Sequence, residues 1–120
     1  MKSLNELAKI INDGAHEKGW WDKDRQNDGE KIALMHSELS EALEELRAGN
    51  DRADVYYGHK HDALNNNEIA KPEGVPIELA DCIIRILDYC GQWDIDIDMA
   101  FEEKMTYNRN RSYRHGNKDF

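Results

Sequence analysis

Two segments of the chain carry carboxylates in pairs, with the members of each pair three residues apart. The segments read HSELSEALEELR and PIELADCIIRILDY, and the pairs are Glu38 with Glu41 and Glu78 with Asp81. Residues at this spacing lie on one face of an α-helix, so each segment presents two carboxylates side by side. Four such charges brought together by helix packing repel one another and require a cation, and carboxylate oxygens favour Mg²⁺. The pattern therefore predicts a divalent metal site between two helices.

The residues around these pairs bear on the choice between a metal site and a solvated helix face, since acidic pairs at this spacing are common on exposed helices. In the second segment, apolar residues cover much of the helix circumference: Leu79, Ala80, Ile83, Ile84, Ile86 and Leu87. A helix that is apolar on most sides is buried, so Glu78 and Asp81 are expected to face little water. A buried carboxylate needs a partner, which favours the metal site.

Length and charge limit the classes of protein to which the chain can belong. Its 120 residues predict a single domain over residues 1–120. A formal net charge of −9 argues against binding to a nucleic acid polymer, but nucleotides stay possible because a bound metal reverses the local field. The sequence contains no run of about 18 apolar residues, so it predicts no membrane span. Cys82 and Cys90 lie on one apolar helix at a spacing that prevents their pairing, which predicts thiols in a reducing cytoplasm.

The hydrophobic pattern predicts four helices, at about these residues: 3–18, 28–48, 76–92 and from 98 onward. Ser3 is expected to cap the first helix, with Glu6 completing a capping box. Residues 50–75 are rich in Gly, Asn and Asp and predict a long connection. Within it we expect no regular structure beyond a short helical turn near residues 62–64.

Three stretches together resemble a known family: ELSEALEELR, PIELADCIIRILDYC and EEKMTYNRNRSYRHGNK. Their order and spacing are similar to the MazG-like branch of the all-α nucleoside triphosphate pyrophosphohydrolase superfamily, which has an ExxE, then an ExxD, then a downstream Lys and Asn. HEKGWWD followed by GEKIALMHSELSEALEELR also looks like small single-domain members of that group. The resemblance covers the chain except for residues 50–73. It implies an all-α fold with a four-helix core, completed by assembly into a homodimer or homotetramer.

The resemblance also implies roles for individual residues. Four carboxylates would bind Mg²⁺, or Mn²⁺ in its place: Glu38, Glu41, Glu78 and Asp81. Five other residues would contact the substrate, the first three at the phosphates and the last two at the base or sugar: Lys104, Asn108, Arg111, His16 and Trp21. Glu41 is the first choice for the general base that takes a proton from water, and Glu38 is the second.

The implied reaction is the Mg²⁺-dependent hydrolysis of a nucleoside triphosphate, a deoxy or non-canonical one, to the monophosphate and pyrophosphate. One alternative is phosphoribosyl-ATP pyrophosphohydrolase activity, since those enzymes share the helical core. Another is a non-catalytic helical interaction protein whose carboxylates are simply solvated. A di-iron bundle is disfavoured, because such proteins use Glu-x-x-His pairs and no Glu of this chain has a His three residues later.

Overall fold

The computed structural model describes residues 1–22, 27–62 and 67–111, and for residues 59–62 and 67–69 it describes the backbone alone. Within this part of the chain there are four helices and a two-stranded sheet: α1 (Leu4–Glu17), α2 (Asp28–Arg47), β1 (Tyr56–Asp62), β2 (Asn67–Glu73), α3 (Val75–Gln92) and α4 (Ile97–Arg109). The protein is thus mostly helical, as the sequence predicts.

Local capping determines where the first two helices begin. The Ser3 hydroxyl accepts from the backbone N–H of Glu6 at 3.1 Å, and the Glu6 carboxylate accepts from the Ser3 N–H at 3.1 Å. This is the predicted capping box, and it satisfies two N–H groups that a helix start leaves without partners. The side chain of Asn27 caps α2 in a simpler way, by accepting from the Glu30 N–H at 3.0 Å.

Helix α3 lies at the centre of the fold, with α1 against one side and α2 against another. A small core forms between α1 and α3 from Ala8, Leu87 and Cys90. The two helices come very close at Gly91, where an added Cβ would lie 2.5 Å from the carbonyl oxygen of Ala8. A larger residue at position 91 would therefore separate α1 from α3.

Helices α2 and α3 run antiparallel. The Tyr89 hydroxyl donates to Asp28 at 3.0 Å, near the start of α2. Further along α2, the Met35 carbonyl accepts from the Cys82 thiol at 3.4 Å. Because residue numbers fall along α3 as they rise along α2, the middle of α2 faces the first half of α3. This arrangement brings the two acidic pairs to the same level.

The segment expected to be an irregular connection forms a β-hairpin, so that prediction was wrong. Strands β1 and β2 pair antiparallel, with Tyr56 opposite Glu73 and Asp62 opposite Asn67. Asp62 lies in a strand, and the remainder of the expected helical turn, residues 63 and 64, lies outside the described residues. The adjacent tyrosines favour a strand and the asparagine run favours a turn, and together they were the available signal.

The hairpin is attached to the helices at its base. The Tyr56 hydroxyl donates to the Glu45 carboxylate on α2, at 2.8 and 2.9 Å from its two oxygens. At the other strand, Gly74 has φ 122° and lies so close to Asp54 that a Cβ would collide with the Asp54 carbonyl oxygen. Only glycine meets both conditions, and α3 begins directly after it.

Helix α4 is held to the start of α1 by reciprocal capping. The Asn5 side chain accepts from the backbone N–H of Ile97 at 3.0 Å, and the Asp98 carboxylate accepts from the Leu4 N–H at 3.0 Å. Among its described residues α4 has none that is buried. The helix is therefore fixed at its first turn and exposed along its length.

Most of the exposed large apolar side chains on the described helices lie on α2, α3 and α4. The main ones are Leu39, Leu43, Leu46, Leu79, Ile83, Ile86, Met99, Phe101 and Met105. The expectation that α3 is buried on most of its circumference is thus not met within one chain, since Leu79 and Ile83 are 44% and 55% exposed. No helix in the described ranges is both long enough and apolar enough to cross a membrane.

Candidate metal and nucleotide site

The structure brings three of the predicted carboxylates together. Glu38 and Glu41 come from the middle of α2, and Glu78 comes from the first turn of α3. One carboxylate oxygen from each lies within 4.8 Å of the others. Asp81, one turn further along α3, is not part of this group, but its charge acts on Glu78 and it is in turn affected by Glu38 and Glu41. We call these four residues the carboxylate cluster.

Glu78 is the most perturbed member of the cluster. Burial is the largest cause, followed by the nearby carboxyl groups of Glu41 and Glu38, and together with the charge of Asp81 they raise the pKa of Glu78 from 4.5 to about 8. Its Oε2 atom is buried and has no hydrogen-bond partner among the described residues. These surroundings favour the protonated form of Glu78, unless a cation takes the place of the proton.

Asp81 is perturbed in the same direction. Burial is the largest cause that raises the pKa of Asp81, and the charges of Glu38 and Glu41 raise it further. The cations Arg85 and Lys71 oppose the rise. The two α3 members of the carboxylate cluster are therefore in surroundings that disfavour negative charge, which is the condition that a bound divalent cation would relieve.

Arg85 is a member of this site that the sequence analysis missed. Its Nε donates to Glu38 at 2.8 Å, and Glu38 is only 6% exposed. Arg85 follows Asp81 by one helical turn and is the single basic residue of α3. The sequence did contain a signal for this ion pair, because Arg85 is a lone arginine on an apolar helix that also carries an acidic pair. The guanidinium offsets part of the cluster's charge, but it leaves Glu41 and Glu78 without a cationic hydrogen-bond donor among the residues described.

A cavity of about 540 Å³ adjoins the carboxylate cluster, between α2, α3 and the turn that follows α1. Glu38 and Asp81 line one end. Trp20, Trp21 and Lys31 line the other end, and apolar side chains lie between. A volume of this size lies within the range of small-molecule sites. Two members of the carboxylate cluster, Glu38 and Asp81, thus share one cavity with an aromatic surface, and Glu41 and Glu78 are not among its described lining residues.

Trp21 is buried and fixed in the wall of this cavity. It is 4% exposed, and its indole N–H donates to the Asp88 carboxylate at 2.9 and 3.0 Å from the two oxygens. Asn12 donates to the same carboxylate at 3.0 Å. Asp88 was not singled out in the sequence analysis, because nothing local to α3 shows that an indole lies against it. Trp20, by contrast, is 57% exposed and is the tryptophan available for stacking.

His16 lies behind Trp21 instead of in the cavity. Its ring stacks at 6.5 Å from the Trp21 ring, and its Nε2 lies 2.6 Å from the side-chain oxygen of Gln92. Of the two residues that the resemblance places at the base or sugar, the described cavity lining includes Trp21 and does not include His16.

The three predicted phosphate contacts are not brought to the cluster within one chain. Lys104, Asn108 and Arg111 follow α4 or lie on it, and no residue of α4 is among the described residues that line the cavity. Lys104 and Arg111 instead lie near the Tyr107 ring, at 4.9 and 5.6 Å from its centre.

Comparison with known proteins gives no assignment. The chain matches no family model, no curated protein and no solved structure. The arrangement of side chains therefore carries the functional argument. It offers an all-oxygen set of possible metal ligands beside a cavity that two tryptophans help to line.

Proposed function

We propose that the protein is a Mg²⁺-dependent nucleoside triphosphate pyrophosphohydrolase that releases the monophosphate and pyrophosphate. The observation that carries the proposal is the position of the carboxylate cluster at one end of a cavity whose other end is aromatic. A nucleoside triphosphate has the same polarity along its length, with metal-binding phosphates at one end and a flat base at the other. The resemblance to MazG-like enzymes, which rests on the same residues, agrees with this reading.

The carboxylate cluster suits a hard divalent cation. Its donors are all oxygens, which Mg²⁺ and Mn²⁺ prefer, and the buried Oε2 of Glu78 lacks a partner among the described residues. Glu38, Glu41, Glu78 and Asp81 would hold the metal. When bound, the metal would offset the charge of the triphosphate and lower the pKa of a coordinated water.

Individual side chains would then assist the attack of water on the triphosphate. Glu41 is the exposed member of the cluster, so it can take a proton from the attacking water. The water oxygen would bond to the α phosphorus, the bond between the α phosphorus and the bridging oxygen would break, and the electron pair would leave with pyrophosphate. Glu38 is the second candidate for the base, and its carboxylate is already engaged by Arg85 at 2.8 Å.

Assembly into a homodimer or homotetramer would complete the site. Exposed apolar residues on α2, α3 and α4 supply a surface for a second copy. Packing of that copy would bring its own α4, with Lys104 and Asn108, toward the cluster. Their positive and amide groups would offset charge on the departing pyrophosphate. We place the enzyme in the cytoplasm, in agreement with its two buried free cysteines.

The test is pyrophosphate release from a panel of canonical and modified ribo- and deoxyribonucleoside triphosphates, with Mg²⁺ and with EDTA. Release of monophosphate and pyrophosphate in Mg²⁺ alone is expected. Glu44 on α2, which pairs with Arg47 at 3.2 Å outside the cluster, supplies a control. Glu41→Gln should abolish turnover, whereas Glu44→Gln should keep it.

Two results would contradict the proposal. Hydrolysis of phosphoribosyl-ATP alone would move the reaction to that substrate. A folded protein that hydrolyses nothing in the panel, and gains no thermal stability from Mg²⁺ with nucleotide, would favour a non-catalytic interaction protein.

A further inference from the structure

Lys31 is anchored in the cavity wall by two contacts. Its ammonium lies 4.1 Å from the centre of the Trp21 ring and donates to the backbone carbonyl of Trp20 at 3.3 Å. The first contact is a cation–π interaction and the second is a charge-assisted hydrogen bond. A lysine that only extends into solvent has neither. The position of this positive charge is therefore defined by the two tryptophans.

The helix geometry places Lys31 far from the carboxylate cluster. Lys31 precedes Glu38 on α2 by seven residues, and Asp81 precedes Asp88 on α3 by the same number. Seven residues are two turns, so each pair shares a helix face and spans about 10 Å. Since α2 and α3 are antiparallel, Lys31 lies at the level of Asp88, at the end opposite the cluster. That distance is on the scale that separates the phosphates of a nucleotide from its base.

Apart from Asp81, which belongs to the carboxylate cluster, the other charged groups of the described cavity lining are already engaged. Arg85 donates to Glu38. Asp88 accepts from Trp21 and from Asn12. An ammonium has three N–H donors and no acceptor. One is used on the Trp20 carbonyl and another faces the Trp21 ring, which leaves a donor for a ligand at the tryptophan end.

We propose that Lys31 determines base specificity, by selecting nucleobases that present a carbonyl oxygen where others present an amino group. Uracil, thymine, guanine and hypoxanthine belong to the favoured class, and cytosine and adenine to the disfavoured one. The inference rests on the proposed function in one respect, that the cavity holds a nucleotide with its phosphates at the cluster. Lys31 can only donate, so a carbonyl pairs with it, whereas an exocyclic amine places a second donor against it and leaves both unpaired.

Two pairs of substrates isolate this difference, because each pair differs at the carbonyl or amino position: dUTP against dCTP, and dITP against dATP. The wild-type protein should favour the carbonyl member of each pair by about tenfold or more in kcat/KM, the effect expected of a hydrogen bond to a charged group. Lys31→Met should bring both ratios near one, mainly through a higher KM for the carbonyl member. Lys31→Arg keeps a donor and should keep the preference.

Matched controls separate base selection from charge and folding. Lys9→Met removes a positive charge from an exposed lysine on α1 that pairs with Asp13 at 3.4 Å, and it should leave both ratios unchanged. Lys31→Gln is the second variant should Lys31→Met fail to fold. Its amide both donates and accepts, so it too should flatten the ratios.

Binding of the products gives a readout that does not depend on turnover. Titration of dUMP and dCMP, followed by tryptophan fluorescence, should show tighter binding of dUMP in the wild type and equal binding in Lys31→Met. That result without hydrolysis of any triphosphate would reject the proposed function and keep the base selection. Hydrolysis without a carbonyl preference would keep the proposed function and reject base selection by Lys31. An equal loss of kcat/KM for all four triphosphates in Lys31→Met would assign Lys31 to the phosphates and overturn the inference, as would equal binding of both products to the wild type.

Discussion

Two carboxylates on α3, one of them buried and the other half-buried, have very different surroundings. Asp88, at the tryptophan end of the cavity, accepts from Trp21 and from Asn12. Glu78, at the other end, has a buried oxygen without a donor among the described residues and faces Glu41 and Glu38. Buried charge is tolerated where donors surround it and is costly where they do not. We therefore interpret Asp88 as a structural residue that holds Trp21 in place, and Glu78 as a ligand of the proposed metal site.

The largest expected effect is on catalysis. Glu78→Gln should lower Mg²⁺-dependent turnover by about 100-fold or more, since even groups that only support a metal ligand cost about 10–100-fold when removed. In EDTA at pH 8 or above the same variant should be at least as stable as the wild type, because Glu78 ionises in that range and the substitution removes its repulsion with the neighbouring carboxylates. Pyrophosphate release and urea unfolding measure the two quantities. Full activity would remove Glu78 from the site.

A loss of stability is expected when Asp88 is substituted. Asp88→Asn places an amide N–H₂ among donors and should lower the free energy of unfolding by about 1–3 kcal/mol, the cost of an unsatisfied buried polar group. Urea unfolding followed by tryptophan fluorescence measures this directly. A variant as stable as the wild type would mean that the contacts between Asp88, Trp21 and Asn12 contribute little, and the comparison with Glu78 would fail.

The metal-free protein should lose stability as pH rises. The folded state raises the pKa of Glu78 from 4.5 to about 8, so folding favours its protonated form. This contribution to stability is fully present below pH 4.5 and is lost as pH rises through about 8. The raised pKa of Asp81 acts in the same direction. Thermal unfolding in EDTA between pH 5 and 9 should show the decline.

Two comparisons assign that decline to the carboxylate cluster. Glu78→Gln should flatten the profile, because the titrating group is gone. Added Mg²⁺ should stabilise the wild type more at pH 8 than at pH 6, since the cation displaces the proton that Glu78 otherwise holds. A stabilisation by Mg²⁺ that does not change with pH would show that the metal binds elsewhere.

The smallest effect is expected at Arg85, the cation that the cluster already has. Arg85→Gln can still donate to Glu38 but removes the positive charge, so the cluster should attract Mg²⁺ more strongly. We expect a gain of a few-fold in Mg²⁺ affinity, modest because the Arg85 side chain is 42% exposed and solvent screens it. Calorimetric titration with Mg²⁺ checks this. Weaker binding would instead make Arg85 a positioning residue for Glu38.

The parts of the site that the sequence predicted are those set by local spacing. Glu38 and Glu41, and Glu78 and Asp81, share a face because a helix has a fixed period. The Ser3 capping box is local in the same way. What the sequence analysis missed depends on contacts between distant segments: the ion pair of Arg85 with α2, and the donation of Trp21 to Asp88 across 67 residues. Such partners follow from how helices pack, which period and composition do not specify.

The expectation for α3 went wrong for an instructive reason. A pattern of apolar residues shows which surface avoids water, but it does not show whether that surface is covered by the same chain. Leu79 and Ile83 satisfy the pattern and are nevertheless exposed here. The hairpin was missed for a different reason: its strands, YYGHKHD and NEIAKPE, lack the alternation of apolar and polar residues that identifies a half-buried strand.

The close approach of Gly74 to Asp54 has a bearing on how the length of this chain can change. The hairpin leaves and returns at nearly the same point, so its ends are already the distance apart that a tight turn would span. Replacing residues 55–73 with a short turn should therefore leave the spacing of α2 and α3 intact, at the loss of the contact between Tyr56 and Glu45. We expect that the hairpin can be shortened, lengthened or replaced while the two helices that carry the carboxylates keep their register.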